Sequence, residues 1–161
     1  QGENAQFLPS QTYTDRLTLG SGVDQMDLYY FGRGHTDGDT FIVYPALGVL
    51  QAGDMFPWRD APFLDVNNGG SGVALPDTLA RAIGSITGID TVVPGHVPVT
   101  DWANFEEFQR FTRDLLAQVR AAKGSGQSVD QAVESIDLSS RYPDYQSTRV
   151  EAAVRVIYEE L

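Results

Sequence analysis

The chain of 161 residues contains no cysteine, only two histidines, His35 and His96, and half as many basic as acidic residues. Without cysteine there is no disulfide, no thiolate metal site and no cysteine nucleophile. Eleven Lys and Arg against 22 Asp and Glu leave a formal charge of −11, with no basic cluster to offset it. That balance opposes sequence-independent binding to a phosphate backbone, so nucleic acid is not an expected partner. No apolar run approaches the roughly 18 residues that a membrane span needs, and no membrane partner is expected either. The opening Gln1-Gly2-Glu3-Asn4 has neither a basic n-region nor an apolar h-region, so no signal peptide is read there. An export signal removed earlier, and with it an exported or periplasmic setting, is compatible with a thiol-free chain.

An apolar content of 42% with 11% aromatics fits a folded chain of one domain. Residues 13–56 read as strands. Arg16–Leu19 and Gln25–Phe31 flank Gly20-Ser21-Gly22, and Thr40–Tyr44 and Gly48–Ala52 flank Pro45-Ala46-Leu47, giving two hairpins. Asn67–Gly72 is a loop by composition. From 76 to 124 the pattern is helix–strand–helix: Pro76–Ile86, a short strand Ile89–Val93, then a helix from Thr100 or Asp101 to Gly124. The last helix carries the apolar stripe Trp102, Phe105, Phe108, Phe111, Leu115, Val119 and Ala122. Residues 128–161 hold two further helices, Ser128–Ile136 and Thr148–Leu161. The chain is therefore α/β.

Three stretches set metal-ligand residue types directly beyond strand ends. They are Gly34-His35-Thr36-Asp37-Gly38-Asp39-Thr40, Gly53-Asp54 after Val49–Ala52, and Pro94-Gly95-His96 after Thr91–Val93. A glycine before each candidate permits a sharp exit from the strand. Two imidazoles and a carboxylate from three strand ends suit Zn²⁺, with Fe or Mn as other occupants. On the residues alone, each also reads as a turn: His35 bonded to Asp37 or Asp39, Asp54 as an Asp after Gly, His96 between Pro94 and Pro98.

From Leu28 to Val99 these motifs, in order, resemble the C-terminal half of a metallo-β-lactamase-fold metallohydrolase. The resemblance implies half of an αββα sandwich, a mixed sheet followed by C-terminal helices. It also implies a zinc-dependent hydrolase that activates water on the metal to cleave an ester, lactone, lactam or thioester of a small-molecule substrate. His35 would complete the site of one zinc ion, His96 would bind a second, and Asp54 would bridge both and carry the catalytic role. An Asp at the bridging position places the chain nearer the glyoxalase II, lactonase and arylsulfatase-like branch than the cysteine-ligand β-lactamases.

The family's other ligands lie on a His-x-His-x-Asp-His loop, and nothing like it occurs in these 161 residues. The expectation is thus an incomplete domain, inactive alone and holding one ion or none. It would be completed by a missing N-terminal half or by a homo-oligomeric partner. Val43, Phe41, Val49, Ile42 and Leu50 occupy both alternating faces of their strands, as in a sheet buried on both sides. Asp37 and Asp39 are candidates to orient a ligand histidine, or simply to form the turn. Asn67 and Asn68 either donate to a substrate carbonyl or make a plain turn. Trp58 and Phe63 either line an apolar wall or pack inward, and Arg33 either meets an anionic substrate or forms a surface ion pair. The competing readings are a catalytically silent oligomerisation or binding module, and a structural metal shared across a symmetric dimer.

Overall fold

Short strands with alternating burial set the architecture. The computed structural model describes residues 9–161, so the Gln1–Asn4 stretch lies outside it. Six strands form one sheet in the order β1 (Arg16–Leu19), β2 (Met26–Tyr29), β3 (Phe41–Tyr44), β4 (Val49–Gly53), β5 (Thr91–Pro94) and β6 (Thr100–Asp101). All neighbours are antiparallel except β4 and β5. A parallel pair needs a crossover, and α1 (Leu75–Ser85) supplies it. Pro76 sits in the first turn of α1, where its missing N–H costs nothing. Both hairpins read in the sequence are present, although β2 stops at Tyr29 and the turn before it contains a 3₁₀ segment, Gly22–Asp24. The two-residue strand β6 was not expected.

The helices follow their caps. In α2 (Trp102–Gly124) the Asp101 carboxylate accepts the Asn104 backbone N–H at 2.9 Å. In α3 (Val129–Ser135) Ser128 and Gln131 cap each other reciprocally. The last helix, α4, covers Val150–Glu160 and not Thr148–Leu161, because residues 148 and 149 are held by Asp60 instead.

Phe41, Val43, Leu50, Ala52 and Val92 point from one sheet face into the core. There they meet Leu79 of α1, Phe105, Phe108 and Leu115 of α2, and Val154 and Ile157 of α4. Phe105 lies at the centre, with ring centroids 5.3 Å from Phe56, 5.4 Å from Trp102 and 6.1 Å from Phe41. Edge-on and tilted rings of this kind add to simple area burial.

The opposite sheet face departs from the expectation of burial on both sides. Strand register aligns Leu17, Leu28, Ile42, Gln51 and Val93 in one row across five strands. All five are only half-buried. The Gln51 side-chain oxygen, in the middle of the row, is shielded from solvent yet has no hydrogen-bond partner among the described residues. No helix or second sheet among those residues covers this row, so alternation alone overstated its burial.

Candidate metal site

The three strand-end motifs converge. Asp54 follows β4, His96 follows β5, and the two strands are parallel neighbours, so both residues leave the same end of the sheet. His35 arrives on the long connection between β2 and β3. The Asp54 carboxylate stands between the imidazoles, with Oδ1 3.0 Å from His96 Nε2 and Oδ2 3.8 Å from His35 Nε2. The other nitrogen of His35, Nδ1, lies 3.0 Å from Asp39 Oδ1. That contact leaves Nε2 facing Asp54 and fixes the ring plane.

Each preceding glycine is required for its own reason. Gly53 adopts φ 52°, the left-handed conformation that turns the chain off β4. Gly34 and Gly95 need space instead. A Cβ on Gly34 would lie 2.4 Å from Met55 Sδ, and one on Gly95 would lie 2.0 Å from Asp54 Oδ1.

Asp39 contacts both the His35 ring and the turn. While Oδ1 faces His35, Oδ2 accepts the Thr36 backbone N–H at 2.5 Å and the Thr36 hydroxyl at 2.9 Å. The Asp37 side chain lies instead against Gly69 and lines a separate cavity of about 560 Å³ with Tyr13 and Tyr30. The loop at 65–71 clamps the His35 loop. Asp65 N–H donates to His35 C=O at 2.9 Å, Ser71 N–H to Gly34 C=O at 2.8 Å, and Asp37 N–H to Asn68 C=O at 3.0 Å. Arg33 joins this clamp by donating to the Gly69 carbonyl at 2.7 Å. Among the described residues Arg33 forms no ion pair, and it does not line the pocket around His35. The Asn68 amide donates to Asp65 at 2.7 Å. That bond first of all, with backbone bonds and the nearby His35, holds the Asp65 carboxyl below its ordinary range. Asn67 and Asn68 therefore belong to a turn, and neither lines the pocket around His35.

That pocket, about 240 Å³, is lined by His35, Asp54, Pro57, Phe63, His96 and Arg149. Phe63 forms the apolar wall, its ring centroid 5.8 Å from that of His35. Trp58 does not. It packs toward Phe56 and carries the Arg59 guanidinium over its ring at 4.5 Å. Sequence reasoning missed Arg149. Arg149 comes from the start of α4, and no local pattern relates it to Asp54.

Among the described residues no group of three or more His, Cys, Asp or Glu side chains is placed to hold a metal ion. His35, Asp54 and His96 meet pairwise through the carboxylate. Their donor types are nonetheless those of a zinc site: imidazole nitrogens directed at one carboxylate, with a second carboxylate behind His35.

No protein-family model matches the chain, and no curated protein sequence matches it. Solved structures do. The chain is similar to the DIM-1 metallo-β-lactamase, with 19% identity and a TM-score of 0.55 over 63% of this chain and 46% of that one. For TMB-1 the values are 20% and 0.56, over 65% of this chain and 47% of that one. For the metallo-β-lactamase from Pontibacter korlensis they are 19% and 0.55, over 65% and 49%. At these identities the likeness shows the fold: a six-stranded mixed sheet with C-terminal helices, as in the metallo-β-lactamases. The matched part spans about half the length of those structures.

Proposed function

We propose that this chain contributes half of the active site of a metal-dependent hydrolase of the metallo-β-lactamase fold. The observation that supports the reading is the Asp54 carboxylate standing between His96 Nε2 at 3.0 Å and His35 Nε2 at 3.8 Å. The fold is that of solved metallo-β-lactamases, and Asp54 and His96 leave adjacent strand ends with His35 brought beside them by the β2–β3 connection.

In this reading His35, Asp54 and His96 would be the residues of this chain that hold the metal, with Asp54 between the two imidazoles. A divalent ion in such a site lowers the pKa of water and stabilises developing oxyanion charge, the chemistry needed to cleave an ester, lactone, lactam or thioester. The chain's own residues do the positioning. Asp39 holds the His35 ring so that Nε2 faces the site. The clamp from residues 65–71 fixes the His35 backbone, and Phe63 and Pro57 give one wall an apolar lining.

Two histidines are too few for two such ions, so the remaining ligands come from further polypeptide. The half-buried row Leu17, Leu28, Ile42, Gln51 and Val93 is where that polypeptide packs, since an apolar sheet face left in water is unfavourable. Gln51, with its shielded and unpartnered oxygen, supplies an acceptor for a donor on the covering layer.

Zinc titration and hydrolysis of a chromogenic lactam, a lactone and a thioester test the reading. They are run on the chain alone and with a polypeptide bearing a His-x-His-x-Asp-His loop. Weak zinc binding alone, turnover only in the mixture, and loss of both in His35→Ala, Asp54→Ala and His96→Ala are expected. Zinc binding that survives all three substitutions refutes it. A symmetric dimer in sedimentation that forms only with zinc would instead favour a metal shared between two copies.

A further inference from the structure

We infer that Glu160, at the end of α4, is a positioning residue for His35: its carboxylate holds Ser71, and Ser71 holds the backbone that carries His35. The inference rests on the metal-site reading, to which it adds a residue that no strand-end motif contains.

Ser71 is polar yet buried, at 1% exposure, and its bonds run in two directions. Toward the site, its backbone N–H donates to the Gly34 carbonyl at 2.8 Å, directly before His35. Away from the site, its hydroxyl donates to Glu160 Oε1 and accepts the Ala74 N–H at 2.9 Å. The other oxygen, Glu160 Oε2, accepts the Val73 N–H at 3.0 Å. Position 74, ahead of α1, is alanine and offers no side-chain cap. The N–H groups at the approach to α1 are taken instead by Ser71 and by a carboxylate 89 positions further along the chain.

Bare backbone tightens the same seam. A Cβ on Gly70 would overlap the His35 carbonyl oxygen, and one on Gly72 would overlap Ile157 Cγ1 of α4. Gly70 N–H donates to the Asp65 carbonyl at 2.8 Å, and Asp65 N–H donates in turn to that of His35 at 2.9 Å. The loop is thin where it passes between His35 and α4, so a shift at Ser71 reaches His35 through direct contact.

Glu160 is not what holds α4 itself. Val154 and Ile157 are buried in the core, Lys123 donates to the Tyr158 carbonyl at 2.7 Å, and the Tyr158 hydroxyl donates to the Gln127 carbonyl at 2.6 Å. Asp54 and His96 stand apart from this seam, on the ends of β4 and β5. Loss of the carboxylate therefore loosens His35 and spares the Asp54–His96 contact. The chemistry also singles out the diagnostic variant. The Ser71 hydroxyl and the Val73 N–H both donate to Glu160, so both of its oxygens must accept. Glutamine has the same size but replaces one acceptor by a donor.

The test uses the full chain, Glu160→Gln and Ser71→Ala, first kept metal-free with a chelator. Amide exchange at Asp65 and Ser71, whose N–H groups are bonded to His35 and Gly34, should quicken about tenfold in Glu160→Gln. The His35 imidazole NMR shifts should move while those of His96 stay. Ser71→Ala should act likewise, and the double variant should add nothing to either single one. Zinc titrated against a chromogenic chelator should bind each variant about tenfold more weakly than the parent. Unchanged exchange, equal disturbance of His35 and His96, or effects that add in the double variant overturn the inference. So does a variant that unfolds, because Glu160 would then hold the fold and not the loop. Zinc uptake that Glu160→Gln leaves as strong as in the parent refutes the role of Glu160 alone. No zinc uptake by the parent, with exchange and His35 shifts altered as expected, refutes only the metal reading.

Discussion

Replacing Gly95 by alanine tests the site through a single methyl group. Gly95 does not use the left-handed backbone, so alanine is compatible with its conformation. Its added carbon, however, would stand 2.0 Å from Asp54 Oδ1, with the Gly53 carbonyl carbon at 3.0 Å and Asp54 Cγ at 3.2 Å. Ordinary contacts lie near 3.5 Å or beyond, so Oδ1 must retreat by roughly 1.5 Å. The contact from Oδ1 to His96 Nε2 is now 3.0 Å, and a retreat of that size breaks it or forces it to be remade elsewhere. Because the Asp54 side chain is 37% exposed, it can swing toward solvent, and the fold should lose no more than about 0.5 kcal/mol. Metal sites are less tolerant, since disturbing the orientation of one ligand costs about 10–100-fold in affinity. Gly95→Ala should therefore melt close to the parent chain while binding zinc at least about tenfold more weakly in competition with a chromogenic chelator. The mechanism is checked by combining it with Asp54→Ala. If the methyl acts only by displacing the carboxylate, the double variant binds zinc no worse than Asp54→Ala alone. In the metal-free chain the same displacement should change the imidazole nitrogen shifts of His96. Parent-like zinc affinity in Gly95→Ala, or losses that add in the double variant, would refute the reasoning.

The remaining predictions concern the scaffold. Phe105→Ala, at the fully buried centre of the aromatic cluster with Phe41, Phe56 and Trp102, should cost about 3–5 kcal/mol in urea unfolding. A loss below 1 kcal/mol would show that the core is not organised around this ring. Asp60→Ala removes the acceptor for Thr148, Arg149 and Ala61, and should cost about 1–3 kcal/mol while speeding amide exchange at the start of α4 more than in α2. Asp27 is buried in β2, and its carboxyl is held below the usual range by the Thr18 hydroxyl first, then by Arg16 and Gln25. A depressed folded value means its contribution is fully present above the unfolded value of about 4 and is lost as pH falls through the lower folded value. Asp27→Asn should accordingly flatten the acid limb of stability below about pH 4, and an unchanged limb would count against it. Tyr142 is pushed up to about 12, by burial first and then by its hydrogen bond to Asp114. Its stabilisation is thus complete below about pH 10 and lost between there and about 12, so Tyr142→Phe should be less sensitive to alkali over that interval than the parent chain.

Periodicity and local chemistry made the main elements legible. The stripe from Phe105 to Ala122 is the buried face of α2, and Asp101 caps it as its position before the apolar run implied. The strand-end motifs were legible because Gly followed by a ligand-type residue is a local pattern, and the parallel pairing of β4 and β5 then brings Asp54 and His96 to the same edge. What local reading cannot supply is the reason for each glycine. Gly53 is there for its backbone, whereas Gly34 and Gly95 are there because Met55 and Asp54 fill the space of a side chain. Both kinds look alike in a sequence. The same limit hid Asp60 and Arg149, 89 positions apart and joined only once α4 returns across the sheet.

The two faces of the sheet show how far alternation reaches. Phe41, Val43 and Leu50 are apolar and buried beneath the helices, and Leu28, Ile42 and Val93 are apolar and half-exposed on the other side. A sequence reports which side chains prefer to leave water, but not what takes them out of it. Alternation with apolar residues on both faces therefore describes a sheet composed for two covering layers, of which the described residues provide one. Since Asp54, His96 and His35 lie at the end of that same sheet, whatever covers the second face is also placed to approach the site. On the function proposed above, the layer that removes the open row from water and the polypeptide that supplies further ligands would be one and the same. If so, Ile42→Glu, in the middle of the open row, should block turnover in the mixed system and leave the chain folded on its own. Unfolding of the isolated Ile42→Glu chain, or undiminished turnover in the mixture, would separate the two roles and remove the argument for a single partner.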